Sequence, residues 1–258
     1  MAELEEYLAA AEHFADIARA KLRAAAGETG TTELKPDRTF VTNTDKAIEE
    51  RLRQVIADRF PQHGIWGEEF GRHQPGAEWQ WILDPIDGTA QFIAGIPVYA
   101  TLIALARGGV PVLGVMDFPA TGDRWTGCAG EPTRCNGKAC RTSGTRDLGT
   151  AMMSTSSPDF YTEAERPVLD RLRKVTRWRI YGGSALSYGR LAAGRTDLAC
   201  DTRFQVYDFA AFRPIIEGAG GVVTDWHGRA LTLDSGQQVL AAATPDLHAA
   251  ALRLVGAR

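Results

Sequence analysis

The run Trp81-Ile82-Leu83-Asp84-Pro85-Ile86-Asp87-Gly88-Thr89 leaves this chain few ways to fold. An apolar strand runs straight into two carboxylates three residues apart. Pro85 lacks an N–H and fixes its own backbone angle, so a regular strand cannot simply continue through it. Gly88 permits a tight turn. Two acids at the end of a buried strand repel each other and lose hydration. A divalent cation removes both penalties. Taken alone, the Asp-Pro and Asp-Gly pairs also fit a solvated turn.

Three further segments favour the cation. Gly67-Glu68-Glu69 ends a short apolar strand, Ile65-Trp66. Tyr207-Asp208 opens a helix followed by AAFRPIIEGAGG, and Val41-Thr42-Asn43-Thr44-Asp45 precedes another. Each puts an acid at the end of an element, where several elements can converge. Carboxylates without accompanying His or Cys suit Mg²⁺ or Mn²⁺ and not zinc. The N–H groups of Gly88, Thr89 and Ala90 open a helical turn that can hold an anion. Metal beside such a turn points to a phosphate substrate, with water attacking in line with the departing alkoxide.

The rest of the chain fits an enzyme domain. Residues 3 to 25 place Leu4, Leu8, Ala11, Ala15, Ala18 and Leu22 at helical steps. Thr42 or Thr44 caps a second helix with an Ala47, Ile48, Leu52, Val55, Ile56 stripe. Strands GIWG and WQWIL follow, then a hairpin of VYATLIALA and PVLGVMDF turned by Arg107-Gly108-Gly109. Strands and helices alternate from Ala151 to Leu254. Residues 1–145 read as an α+β half carrying the GEE and DPIDGT segments. Residues 146–258 read as an α/β half carrying Tyr207-Asp208, with the polar stretch Cys140–Gly149 as the seam. Hydrophobic residues are 44% of the chain, which excludes intrinsic disorder. A net charge of −3 gives no reason to expect nucleic acid. The longest apolar stretch, Ile93 to Ala106, is interrupted by Gly95 and Pro97 and is shorter than the roughly 20 residues of a bilayer span. The acidic start MAELEEYLAAAEHF is not a signal peptide, so a cytoplasmic location with no membrane partner is expected. Cys128, Cys135, Cys140 and Cys200 lack zinc spacing and read as free thiols. The five histidines are scattered and read as surface or loop residues.

GEE, DPIDGT and an aromatic-Asp before an EGAGG helix end, in that order, resemble the inositol monophosphatase family. The resemblance runs from Lys35 to about Trp226. It implies a layered αβαβα, α+β fold and a magnesium-dependent phosphomonoesterase, usually a homodimer, with two or three Mg²⁺ per site and Mn²⁺ as a substitute. By resemblance Glu68, Asp84 and the Ile86 carbonyl hold one metal, and Asp84, Asp87 and Asp208 a second. Glu68 helps bind a third and, with Thr89, orients the attacking water. Asp45 hydrogen-bonds Thr89, and Lys35 sits in a mobile loop near the metals. Gly88, Thr89 and Ala90 face the phosphate, while Ser184 and Asp201 lie at the substrate's other end. Ser184 also reads as a helix N-cap.

Within the family, Gly64–Gly71, Tyr181-Gly182-Gly183, Tyr207-Asp208-Phe209 and Ile216–Trp226 are most similar to histidinol-phosphate phosphatases of histidine biosynthesis. Those enzymes often carry Asp in place of Ser184 and Arg or Lys in place of Ala90. Two alternatives follow: an inositol-1-monophosphatase or related sugar-phosphate phosphatase, and a non-catalytic phosphate-ligand binding protein. A DxDGT aspartyl nucleophile fails because the acids are three apart. A serine hydrolase fails because Gly182-Gly183-Ser184-Ala185-Leu186 lacks the last glycine.

Overall fold

The computed structural model describes residues 2–26, 32–34 and 40–256. Its helices are α1 Ala2–Ala25, α2 Asn43–Arg59, α3 Thr89–Ile93, α4 Arg166–Val175, α5 Ser184–Ala192, α6 Val206–Phe209, α7 Phe212–Gly218 and α8 Pro245–Val255. The first ten strands are β1 Thr32–Leu34, β2 Phe40–Thr42, β3 Gly64–Gly67, β4 Gly71–His73, β5 Trp79–Asp87, β6 Ala100–Arg107, β7 Val110–Asp117, β8 Arg124–Cys128, β9 Arg134–Cys135 and β10 Lys138–Ala139. After the crossing segment come β11 Met152–Thr155, β12 Trp178–Tyr181, β13 Leu198–Asp201, β14 Val222–Thr224 and β15 Val239–Ala242.

The middles of strands β5 to β7 are apolar on both sides because both faces of their sheet are covered. Side chains alternate across a strand. Trp81, Leu83, Ile103, Leu105, Leu113 and Val115 enter one core with α1 and α2. Ile82, Leu102, Ala104, Ala106 and Met116 enter another with α5, α6 and α7. That second core continues to the other sheet through Ala199, Val223 and Ala241. A third core lies between this sheet and the outer helices α4 and α8. The layers therefore run helix, sheet, helix, sheet, helix, the αβαβα arrangement. The larger sheet has the order β10-β9-β8-β7-β6-β5-β3-β4 and the smaller β12-β11-β13-β15-β14. Glycines admit the middle layer: a Cβ on Gly114 would meet the Ala211 carbonyl, and one on Gly127 would lie 2.6 Å from the Ile215 Cα.

Several expectations are corrected. The strand does continue past Pro85, by a bulge: Asp84 pairs with Leu102 but Asp87 with Ala100. The bulge removes the need for an N–H at residue 85, and the Pro85 carbonyl accepts from Thr101 Oγ1 at 2.8 Å. The single helix expected after Tyr207 is two, α6 and α7. Pro214 has no N–H to give the Ala210 carbonyl, and the helix breaks there. Two histidines are buried: His63 accepts from Trp81 Nε1 at 3.1 Å, and His248 lies 2.9 Å from Thr224 Oγ1. All four cysteines are free thiols. Among the described residues no helix is long and apolar enough to cross a membrane.

Candidate active site

The bulged end of β5 delivers the acids. Asp84 is 1% exposed, and its side chain shares the inner face of the sheet with Leu102. Asp87 and Asp208 are half-buried. One carboxylate oxygen of each of the three lies within 4.8 Å of the others. Burial pushes the Asp84 carboxyl well above its usual range, and Glu68, Asp87, Asp208 and Asp45 push it further. Burial raises Asp87 to about 7, opposed by the Ala185 N–H and reinforced by Asp201. Asp84 Oδ1 is buried with no hydrogen-bond partner.

Each flanking acid is aimed by its own element. Asp208 is the third residue of α6, and its Oδ2 accepts from Gln205 N at 2.6 Å, a capping box. Asp45 closes the equivalent box on α2: its Oδ2 accepts from Thr42 N at 2.8 Å and Thr42 Oγ1 at 2.5 Å. Thr42 is thus the cap. Asp45 Oδ1 faces Thr89 Oγ1 at 3.4 Å, and Thr89 Oγ1 also donates to the Ile86 carbonyl at 3.0 Å. Gly88 stands before Thr89 at φ 77°, a left-handed turn open to glycine. Ala90 follows in the single helical turn of α3. Glu68 sits on the turn after β3, where its N–H donates to the Leu83 carbonyl at 3.2 Å. Its carboxylate acts on Asp84 but is not part of the three-acid set.

The α5 end closes the other side. Ser184 is the first residue of α5 and Gly183 its cap, so the expected N-cap role of Ser184 is not met. Ser184 adopts φ 43°, a strained conformation for a side chain. The next N–H, of Ala185, donates to Asp87 Oδ2 at 2.9 Å. Asp201 is 1% exposed and accepts from Thr155 Oγ1 at 2.9 Å, Ser156 N at 2.6 Å and Tyr188 Oη at 2.9 Å. It is therefore an electrostatic neighbour of Asp87 held inside the protein. Lys35 lies outside the described residues, as does most of its loop.

The acids fit a hard cation. An unsatisfied, fully buried carboxylate oxygen among other acids is unstable without positive charge, and the donors are all oxygen.

Residues 3–257 match the model of the inositol monophosphatase family. The chain belongs to that family. It is 38% identical over 227 residues to the bifunctional phosphatase IMPL2, chloroplastic, of Arabidopsis thaliana, covering 84% of this chain and 66% of that one. It is 38% identical over 206 residues to a histidinol-phosphatase of Mycobacterium tuberculosis, covering 76% and 78%. A solved inositol monophosphatase from Zymomonas mobilis superposes with a TM-score of 0.91 at 36% identity, covering 98% of each chain. The chain is thus an inositol monophosphatase family phosphatase, a phosphomonoester hydrolase.

Sequence reasoning missed the residues that aim the acids. Glu49 is fully buried beneath the Glu68 turn. Its signal was present: an acid four residues after Asp45, among Ile48 and Leu52 on the apolar stripe of α2. Tyr188, which donates to Asp201, was not singled out either.

Proposed function

We propose that this phosphatase hydrolyses L-histidinol phosphate with divalent cations, Mg²⁺ or Mn²⁺, held by Asp84, Asp87 and Asp208, with Glu68 and the Ile86 carbonyl completing the set. The observation that carries the reading is the buried, partnerless Asp84 Oδ1 within the three-acid cluster. Bound cations would neutralise the acids, hold phosphate oxygens and make water a better nucleophile. Backbone N–H groups of Gly88, Thr89 and Ala90 orient the phosphate. Thr89 Oγ1 accepts the proton of the attacking water and passes its own to Asp45 Oδ1, 3.4 Å away. The water oxygen bonds phosphorus as the ester P–O bond breaks, and solvent protonates the leaving alkoxide. The capping bonds from Thr42 fix Asp45 for this task.

Histidinol phosphate is favoured by the segment resemblances and by the relatives of that name. Buried Asp201 contributes a negative field toward the substrate's amine end, where Ser184 lines the wall. Myo-inositol 1-phosphate is the second reading, supported by the Zymomonas mobilis structure. Phosphate release from both esters, with and without magnesium, decides. The expected result is a higher kcat/KM for histidinol phosphate, lost on chelation. A preference for inositol phosphate would replace the substrate; no release from any small phosphomonoester would remove the hydrolytic reading.

A further inference from the structure

Helix α2 carries a second buried acid one turn beyond Asp45. Glu49 Oε2 accepts from Glu69 N at 2.7 Å and Oε1 from Phe70 N at 3.1 Å. Arg53, four residues on, donates from Nε to Glu49 Oε1 at 2.7 Å and from Nη2 to the Gly71 carbonyl. Its guanidinium also lies 5.9 Å from the Phe70 ring centroid. The carboxylate thus fills the concave side of the Gly67–Gly71 turn and ties it at Glu69 and Phe70, while Arg53 ties Gly71. A Cβ on Gly67 would fall on the Glu49 carboxylate. The first glycine of the GEE segment is therefore glycine to admit Glu49.

We infer that Glu49, braced by Arg53 and seated against Gly67, is a positioning residue that sets the reach of Glu68 toward Asp84. One rigid helix then aims both proton acceptor and metal-side acid: Asp45 through its cap toward Thr89, Glu49 through the turn toward Glu68. Among the described residues, Glu49 is hydrogen-bonded by the Glu69 and Phe70 N–H groups and Arg53, so it acts through Glu68 and not on the substrate. The inference rests on the metal-dependent reading above. A turn released from Glu49 would lose fixed geometry, and outer partners of metal ligands commonly control affinity by about 10–100-fold.

Glu49→Gln tests it. The amide must turn an NH₂ toward one of the turn N–H groups or toward Arg53, so one tie becomes repulsive. Magnesium affinity, measured by calorimetry on the metal-stripped protein without substrate, should fall about 10–100-fold. In turnover, half-saturating magnesium should rise in parallel, KM for the ester should change much less, and most of the lost rate should return at saturating magnesium. Gly67→Ala pushes the same carboxylate from the opposite side and should give the same signature; Arg53→Met should give a weaker one. A folded Glu49→Gln protein with native magnesium affinity overturns the inference. If that variant does not fold, native affinity in both Gly67→Ala and Arg53→Met overturns it equally. A native protein without magnesium-dependent phosphate release would instead sink the functional reading, so the two failures are distinguishable.

Discussion

Asp84 and Asp117 lie at the same end of the larger sheet, on strands flanking β6, and they face opposite ways. Asp117 pairs with Thr101 on β6 and Asp84 with Leu102. Both are buried, at 0% and 1% exposure. On the α1 face Arg19 grips Asp117 with two bonds, Nε to Oδ2 at 2.9 Å and Nη2 to Oδ1 at 2.5 Å, and Arg124 Nε adds a third at 2.6 Å. The charged groups that act most strongly on Asp84 are acids: Glu68, Asp87, Asp208 and Asp45. The same residue type in the same sheet is a tie in one place and, on the reading proposed above, a metal ligand in the other. Local charge separates the two: fork-like guanidinium pairing makes an acid structural, and its absence leaves a buried acid whose charge a bound cation would offset.

The contrast breaks most visibly at Asp87. Asp87→Asn should reduce phosphate release by about 10³-fold or more, the equivalent of several kcal/mol of metal-dependent stabilisation. Its melting temperature without metal should hold or rise, because one repelling charge is gone. Activity retained in magnesium refutes the role of Asp87. Asp117→Asn should do the reverse. Urea unfolding should show roughly 3 kcal/mol less stability, because two arginines lose a buried partner, while kcat/KM of the folded protein stays native. A stable but inactive Asp117→Asn protein would invert the comparison.

The expectations that held were those written in local pattern. The hairpin at Gly108-Gly109 and the cap of α2, expected at Thr42 or Thr44 and found at Thr42, are decided by neighbours in sequence. The gathering of Asp84, Asp87 and Asp208 was legible because each acid lies close to one end of its element. What escaped depends on long-range partners. The strands β8, β9 and β10 are short, with no run of alternating or continuous apolar residues, and only pairing with β7 and with each other makes them strands. His63 and His248 look like loop histidines until Trp81 and Thr224 arrive as partners. The resemblance places Asp201 at the substrate's far end, but its hydrogen bonds from Thr155, Ser156 and Tyr188 come from distant elements that the sequence does not show as partners.

A thermal melt sharpens the contrast further. Magnesium at about 100 times its dissociation constant should stabilise the metal-stripped protein by about 2.7 kcal/mol. Asp117→Asn should keep that gain and Asp84→Asn should lose most of it. An equal gain in both variants would place the cation elsewhere.

Asp201 is the intermediate case, a buried acid held by neutral donors. Burial pushes its carboxyl up to about 6, against the pull of Ser156, Tyr188 and Thr155. The unfolded chain releases this proton near pH 4, so the folded form binds more protons between about pH 4 and 6. Its contribution to stability therefore falls as pH rises through that window and is level above it, with a slope of at most about 1.4 kcal/mol per pH unit. Asp201→Asn should remove that slope from urea midpoints taken across the window. Identical slopes in the two proteins would show that Asp201 titrates normally.

The cation cage is best examined by soaking crystals in Mn²⁺ and collecting at its absorption edge. An anomalous peak bonded to carboxylate oxygens of Asp84, Asp87 and Asp208 at about 2.2 Å, with Asp84 Oδ1 among the ligands, is the expected outcome. No peak among these three acids, at a manganese concentration that sustains phosphate release in solution, would contradict it.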